Sequence, residues 1–103
     1  MKLSTLRTRY KNIGYTPCNL ERDIEVAAIA KWIYETHGIY IQLLYITMGV
    51  PEVAGKFSFM YYFKANEGET AATSYGEKYY KNPYDGMFDA VARIYRHLKF
   101  MYY

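Results

Sequence analysis

Two histidines, one cysteine and ten acidic side chains are the residues of this chain that could do covalent or metal chemistry. Their spacing joins none of them into a recognisable centre. General acid–base and nucleophilic catalysis need paired titratable groups, or a nucleophile beside its base. Cys18 has no activating partner nearby in sequence, so it is expected to be a small buried thiol. With a single cysteine no internal disulfide can form, which points to a reducing compartment. His37 falls in the last turn of an expected helix, where the helix dipole accounts for it, and His97 stands beside Arg96 on a polar flank. Neither has a Cys or His partner at ligand spacing. Gly68 and Gly76 are isolated and form neither a P-loop nor a dinucleotide fingerprint. The chain is therefore expected to be non-enzymatic, with no catalytic residue, no cofactor and no metal.

What the composition offers instead is aromatic surface. Fourteen of the 103 residues are tyrosine, more than one small core can absorb. Each has an apolar ring and a hydroxyl that seeks water or a partner, so the surplus is expected on a wet sheet face or an interface. The net charge of +3 is too balanced to imply a polyanion partner by itself. Local charge is more uneven: Lys2, Arg7, Arg9 and Lys11 occupy the outward positions of the first expected helix. The first seven residues lack the apolar core of a signal peptide. No window approaches the run of about 18 apolar residues that spans a bilayer. A cytoplasmic location without membrane contact is expected.

These residues must be positioned by one domain over 1–103: a short N-terminal helix and turn over 1–18, then an α-β-β-β-α unit over 19–103. Leu3, Leu6, Tyr10 and Ile13 recur at helical spacing, with Gly14 as the stop. Asn19 as cap, acids at Glu21 and Asp23 and Gly38 as terminator predict a helix over Leu20 to His37. Its core stripe is Val26, Ile29, Ala30, Ile33 and Tyr34. A second line, Ile24, Ala28 and Trp32, falls among Glu21, Glu25, Lys31 and Glu35, so either the N-terminal helix or a partner must cover the only tryptophan. Ile39 to Met48 and Lys56 to Lys64 read as antiparallel strands joined by a mobile loop over Gly49 to Gly55. A turn at Asn66-Glu67-Gly68 leads to a third strand within Thr70 to Tyr80, interrupted by Gly76. Asn82-Pro83 starts the last helix, whose apolar face is Tyr84, Met87, Phe88, Val91, Ile94, Tyr95, Leu98 and Met101. On its polar side Asp89 can pair with Arg93 one turn on.

The fold class expected is α+β, a three-stranded antiparallel sheet with helices packed on one face, in the order α-α-β-β-β-α. The helices take the Phe57, Phe59, Tyr61 and Phe63 side of the sheet. Tyr40, Gln42, Leu44, Ser58, Met60 and Tyr62 then form an open face whose apolar content marks an interaction site. The partner surface expected is Tyr40, Leu44, Met60 and Tyr62, with Trp32 as a second anchor if left bare. An unidentified protein or a second copy is the partner. The rival reading is a nucleic-acid-binding module that uses Arg7, Arg9 and Lys11.

Two resemblances bear on these readings. The order helix, three strands, helix over Asn19 to Met101 resembles the double-stranded RNA-binding domain. That family's lysine signature at the start of its last helix is replaced here by Asn82-Pro83-Tyr84-Asp85-Gly86-Met87-Phe88-Asp89. The segments Ile13-Gly14-Tyr15-Thr16-Pro17-Cys18, Ala28 to Ile41 and Tyr84 to Ala90 are similar to small uncharacterised proteins from phages and prophages of gut Bacteroidetes. That resemblance implies a mobile-element origin without implying an activity.

Overall fold

The computed structural model describes the backbone of residues 1–66, 69–75 and 79–103, and the side chains of 1–62 and 79–103. The architecture is α+β: three helices and a two-stranded antiparallel sheet packed against the last of them. The elements are α1 (Leu3–Asn12), α2 (Arg22–His37), β1 (Tyr40–Tyr45), β2 (Phe57–Asn66), β3 (Glu69–Tyr75) and α3 (Pro83–Tyr102). β1 pairs with β2 in an unbroken register from Tyr40↔Tyr62 to Tyr45↔Phe57. Beyond this pair, the backbone of β3 runs antiparallel along the far edge of β2. Glu67 and Gly68 of the expected turn and the expected break at Gly76 lie outside the described residues, as do the side chains of Phe63 and Lys64.

α3 forms where the capping chemistry requires it. The Asn82 side chain accepts the Tyr84 backbone N–H at 2.7 Å, and Pro83 occupies the first turn. Its inward side buries Phe88, Val91, Ile94, Tyr95 and Leu98 against Phe59 and Tyr61 of β2 and against α2. Tyr84 and Met101, expected on that face, are instead more than half exposed. They sit in the first and last turns of the helix. Asp89 accepts the Tyr80 hydroxyl at 2.7 Å.

α2 departs most from expectation. It begins at Arg22 with Glu21 as cap residue, and Asn19 has φ 59°, in the left-handed region that Asn tolerates. The expected Asn19 cap is therefore replaced by a turn. Gly38 ends the helix as expected, with φ 71° and its N–H on the Tyr34 carbonyl at 2.9 Å. Val26, Ile29 and Ile33 are buried, whereas Tyr34 is 59% exposed, because the core stripe is narrower than five residues.

α1 lies back over the helical layer. Leu6 and Tyr10 are fully buried, and the Tyr10 hydroxyl donates to the Val91 carbonyl of α3 at 2.6 Å. The Gly49 to Gly55 connection carries its own hydrogen bonds: Val53 N–H and Ala54 N–H reach the Val50 carbonyl at 3.0 and 3.1 Å, and Gly55 N–H reaches Ile46 at 2.8 Å.

Candidate functional site

The sheet presents its two faces as the alternation requires. Phe59 and Tyr61 point into the core, and their cross-strand neighbours Leu43 and Ile41 pack against it. The opposite face carries Tyr40, Gln42, Leu44, Ser58, Met60 and Tyr62, brought together by the pairs Tyr40↔Tyr62, Gln42↔Met60 and Leu44↔Ser58. The Tyr40 and Tyr62 rings stack with centroids 4.9 Å apart and planes 18° from parallel. The Tyr62 hydroxyl donates to Gln42 Oε1 at 2.9 Å and lies 3.7 Å from the Met60 sulfur. Tyr40 is 40% exposed, and Leu44, Met60 and Tyr62 are half-buried. Ser58 is buried, against expectation: its short side chain stands between Leu44 across the ladder and Met60 along it. At the loop end of the strands Tyr45, which meets Phe57 on the other side of the sheet, and Met48 and Val50 of the connection are also exposed.

Trp32 belongs to a different set. Its ring meets Tyr10, Tyr15 and His37 edge-on, with centroids 6.0, 6.1 and 5.5 Å away, and Gly14 backs onto it. The chain from α1 through the turn at Gly14 thus covers the indole, and Trp32 is half-buried in the helical layer rather than beside the tyrosine face. The His37 ring lies 4.9 Å from that of Tyr102, tilted by 31°, and its Nε2 lies 3.2 Å from the Tyr103 hydroxyl. Burial lowers its pKa below the ordinary histidine value.

The three cations of the first helix do not share one surface. Arg7, expected to point outward, gives its Nε to Glu25 Oε1 and another guanidinium nitrogen to the Leu20 carbonyl. Lys11 and Arg7 border one groove with Ser4, Thr8 and Thr16. Arg9 lines a separate groove, its guanidinium 5.6 Å from the centre of the Tyr95 ring.

Glu25 is the residue that pattern reading missed. Expected on the solvent side, it is fully buried and receives five donors: Arg7 Nε, the Tyr15 hydroxyl, Cys18 N–H at 3.0 Å, Cys18 Sγ at 3.0 Å and Asn19 N–H at 3.1 Å. Burial pushes its pKa up, but the combined hydrogen bonds from Cys18, Tyr15 and Arg7 outweigh it and hold the carboxyl at about 2. A carboxylate offers about four acceptor sites, so this one is saturated and keeps no capacity for a substrate or a cation. The signal lay in spacing: Glu25 stands one and two turns before Ile29 and Ile33 on the core stripe. Cys18, expected to be buried, is exposed, because the turn holds it at the outer lip of this cluster. Among the described residues no group of His, Cys, Asp and Glu has the arrangement of a metal site, and no helix is long and apolar enough to cross a membrane.

Comparison with protein-family models, with curated proteins and with solved structures finds no match to this chain.

Proposed function

We propose that this chain is a non-enzymatic interaction module, a phage or prophage accessory factor, that associates with a second copy of itself through the tyrosine-bearing face and the adjoining edge of a three-stranded sheet. The observation that carries the reading is the Tyr40–Tyr62 stack, a rigid aromatic surface on the side of the sheet turned away from α3. Aromatic anchors of this kind dominate interface energies, each worth roughly 1–4 kcal/mol on truncation to alanine.

A second copy is the favoured occupant because of what borders the face. β1 is an edge strand, and from Gly38 to Met48 the chain has no charged residue and no proline. Edges that avoid pairing usually carry lysine, proline or a bulge, and β1 pairs with β2 in an unbroken register. Two such edges meeting antiparallel would join the Tyr faces of both copies into one surface.

Sedimentation velocity across a dilution series tests the proposal. The parent should dimerise, Tyr62→Ala with Met60→Ala should weaken the dimer at least tenfold, and the thermal midpoint should stay within a few degrees. A parent that is monomeric throughout overturns the reading. So does a fall of about 10 °C in the variant, which would make these residues core.

A further inference from the structure

Between the C-terminal halves of α1 and α3 runs an open groove of about 630 Å³ lined by Arg9, Asn12, Tyr95, Arg96, Lys99 and Phe100. It carries three cations and no carboxylate. Arg7, Arg22 and Lys31 are engaged in ion pairs, whereas Arg9, Arg96 and Lys99 take part in none among the described residues. The two helix C-termini that meet here contribute only about half a negative charge each, so the three full positive charges dominate. Arg9 is pre-positioned, its guanidinium laid over the Tyr95 ring. Phe100, at the rim, is 92% exposed, the most exposed aromatic side chain among the described residues. A bare phenyl ring costs solvation and packs on nothing in the fold.

We infer that this groove binds single-stranded nucleic acid, with Arg9, Arg96 and Lys99 on successive phosphates and a base stacked on Phe100. The combination of a cationic track and an exposed ring is what unpaired strands require: phosphates supply the affinity, and splayed bases supply faces for stacking. A duplex keeps its bases stacked internally and offers Phe100 nothing. A concave groove between two helices suits a strand better than the flat surface of an anionic membrane. The site is separate from the sheet face, and it uses only Arg9 of the three cations that the sequence singled out on the first helix.

The test is fluorescence anisotropy with a labelled oligothymidylate, alongside the same sequence in a duplex and vesicles of phosphatidylserine and phosphatidylcholine. With three phosphates neutralised, affinity for the single strand should fall about 20-fold for a fourfold rise in salt. Replacing Arg9, Arg96 and Lys99 together by Gln should weaken binding at least tenfold and flatten the salt dependence. Phe100→Ala should cost at least about fivefold. Lys31→Gln, which removes a single charge on α2, should leave affinity within twofold. In the parent protein, amide resonances of Asn12 and of 96–100 should shift on titration, a readout independent of whether any variant folds. Absence of oligonucleotide binding at low salt overturns the inference. So do preference for duplex or vesicles, shifts confined to other residues, and a triple variant that folds and binds like the parent.

Discussion

Arg7 on α1 and Glu25 on α2 form an ion pair whose carboxylate simultaneously gathers the backbone of the turn between the two helices through Cys18 N–H and Asn19 N–H. One side chain thereby fixes the approach of α1, the path of the turn and the left-handed Asn19. Glu25→Ala would strand a guanidinium and several donors, and it is expected to cost about 3 kcal/mol. Chemical denaturation checks this; a loss below about 1 kcal/mol would show the cluster to be incidental.

Stability should depend on pH at both extremes. The Glu25 carboxyl is depressed in the folded state from 4.5 to about 2, so its contribution is complete above the ordinary carboxylate value. It is lost as pH falls through about 2. Tyr10, Tyr15 and Tyr80 are shifted the other way, above the ordinary 10.0, chiefly by burial. Their contribution is present below pH 10 and disappears as the medium becomes more alkaline. Urea midpoints should therefore form a plateau between about pH 7 and pH 9, falling on either side, with the first decline below pH 6.5 coming from His37, whose pKa burial lowers. A steady slope across that plateau would contradict these assignments.

Trp32 should report the ionisation of His37. The two rings meet edge-on at 5.5 Å, and an imidazolium quenches indole emission more strongly than the neutral ring does. Emission of the single tryptophan is expected to rise with pH through a midpoint below 6.5, because burial disfavours the charged form. His37→Phe should abolish that titration; its persistence would place another group beside the indole.

Tyr10→Phe isolates one hydrogen bond. The ring would keep its packing against Tyr15, Trp32 and Tyr95, but the Val91 carbonyl would lose the hydroxyl at 2.6 Å. A cost of about 1–2 kcal/mol is expected, read as a fall in Tm of roughly 4–8 °C for each kcal/mol. An unchanged Tm would mean that this hydrogen bond adds nothing to the hold on α1.

The strand faces were legible because Phe57, Phe59 and Tyr61 alternate with Ser58, Met60 and Tyr62, and a period of two admits one assignment once a helix must cover the aromatic side. The end of α2 was legible for a similar reason, since Gly38 is chemically suited to the left-handed cap. Its beginning was not. Asn19 has the side chain of a cap, yet it supplies a backbone N–H to Glu25, a residue six positions on whose burial depends on Arg7 from another helix. Periodicity sorts residues by polarity and therefore placed Glu25 outside. Only the tertiary meeting of α1, the turn and α2 makes a buried carboxylate affordable. The same meeting removes Arg7 from the basic surface and leaves Arg9 to a groove completed by α3, a juxtaposition that local pattern does not encode.

The Tyr10–Val91 contact also has a bearing on how the protein is made. Its donor leaves the ribosome well before its acceptor, which lies 81 positions later on the last helix. Until α3 emerges, the first helix can dock on α2 alone, and the uncharged β1 segment is displayed on an incomplete chain. The nascent protein is thus most prone to mispairing during the interval between translation of Tyr45 and translation of Val91, and a slow codon or a stalled ribosome there would lengthen that exposure.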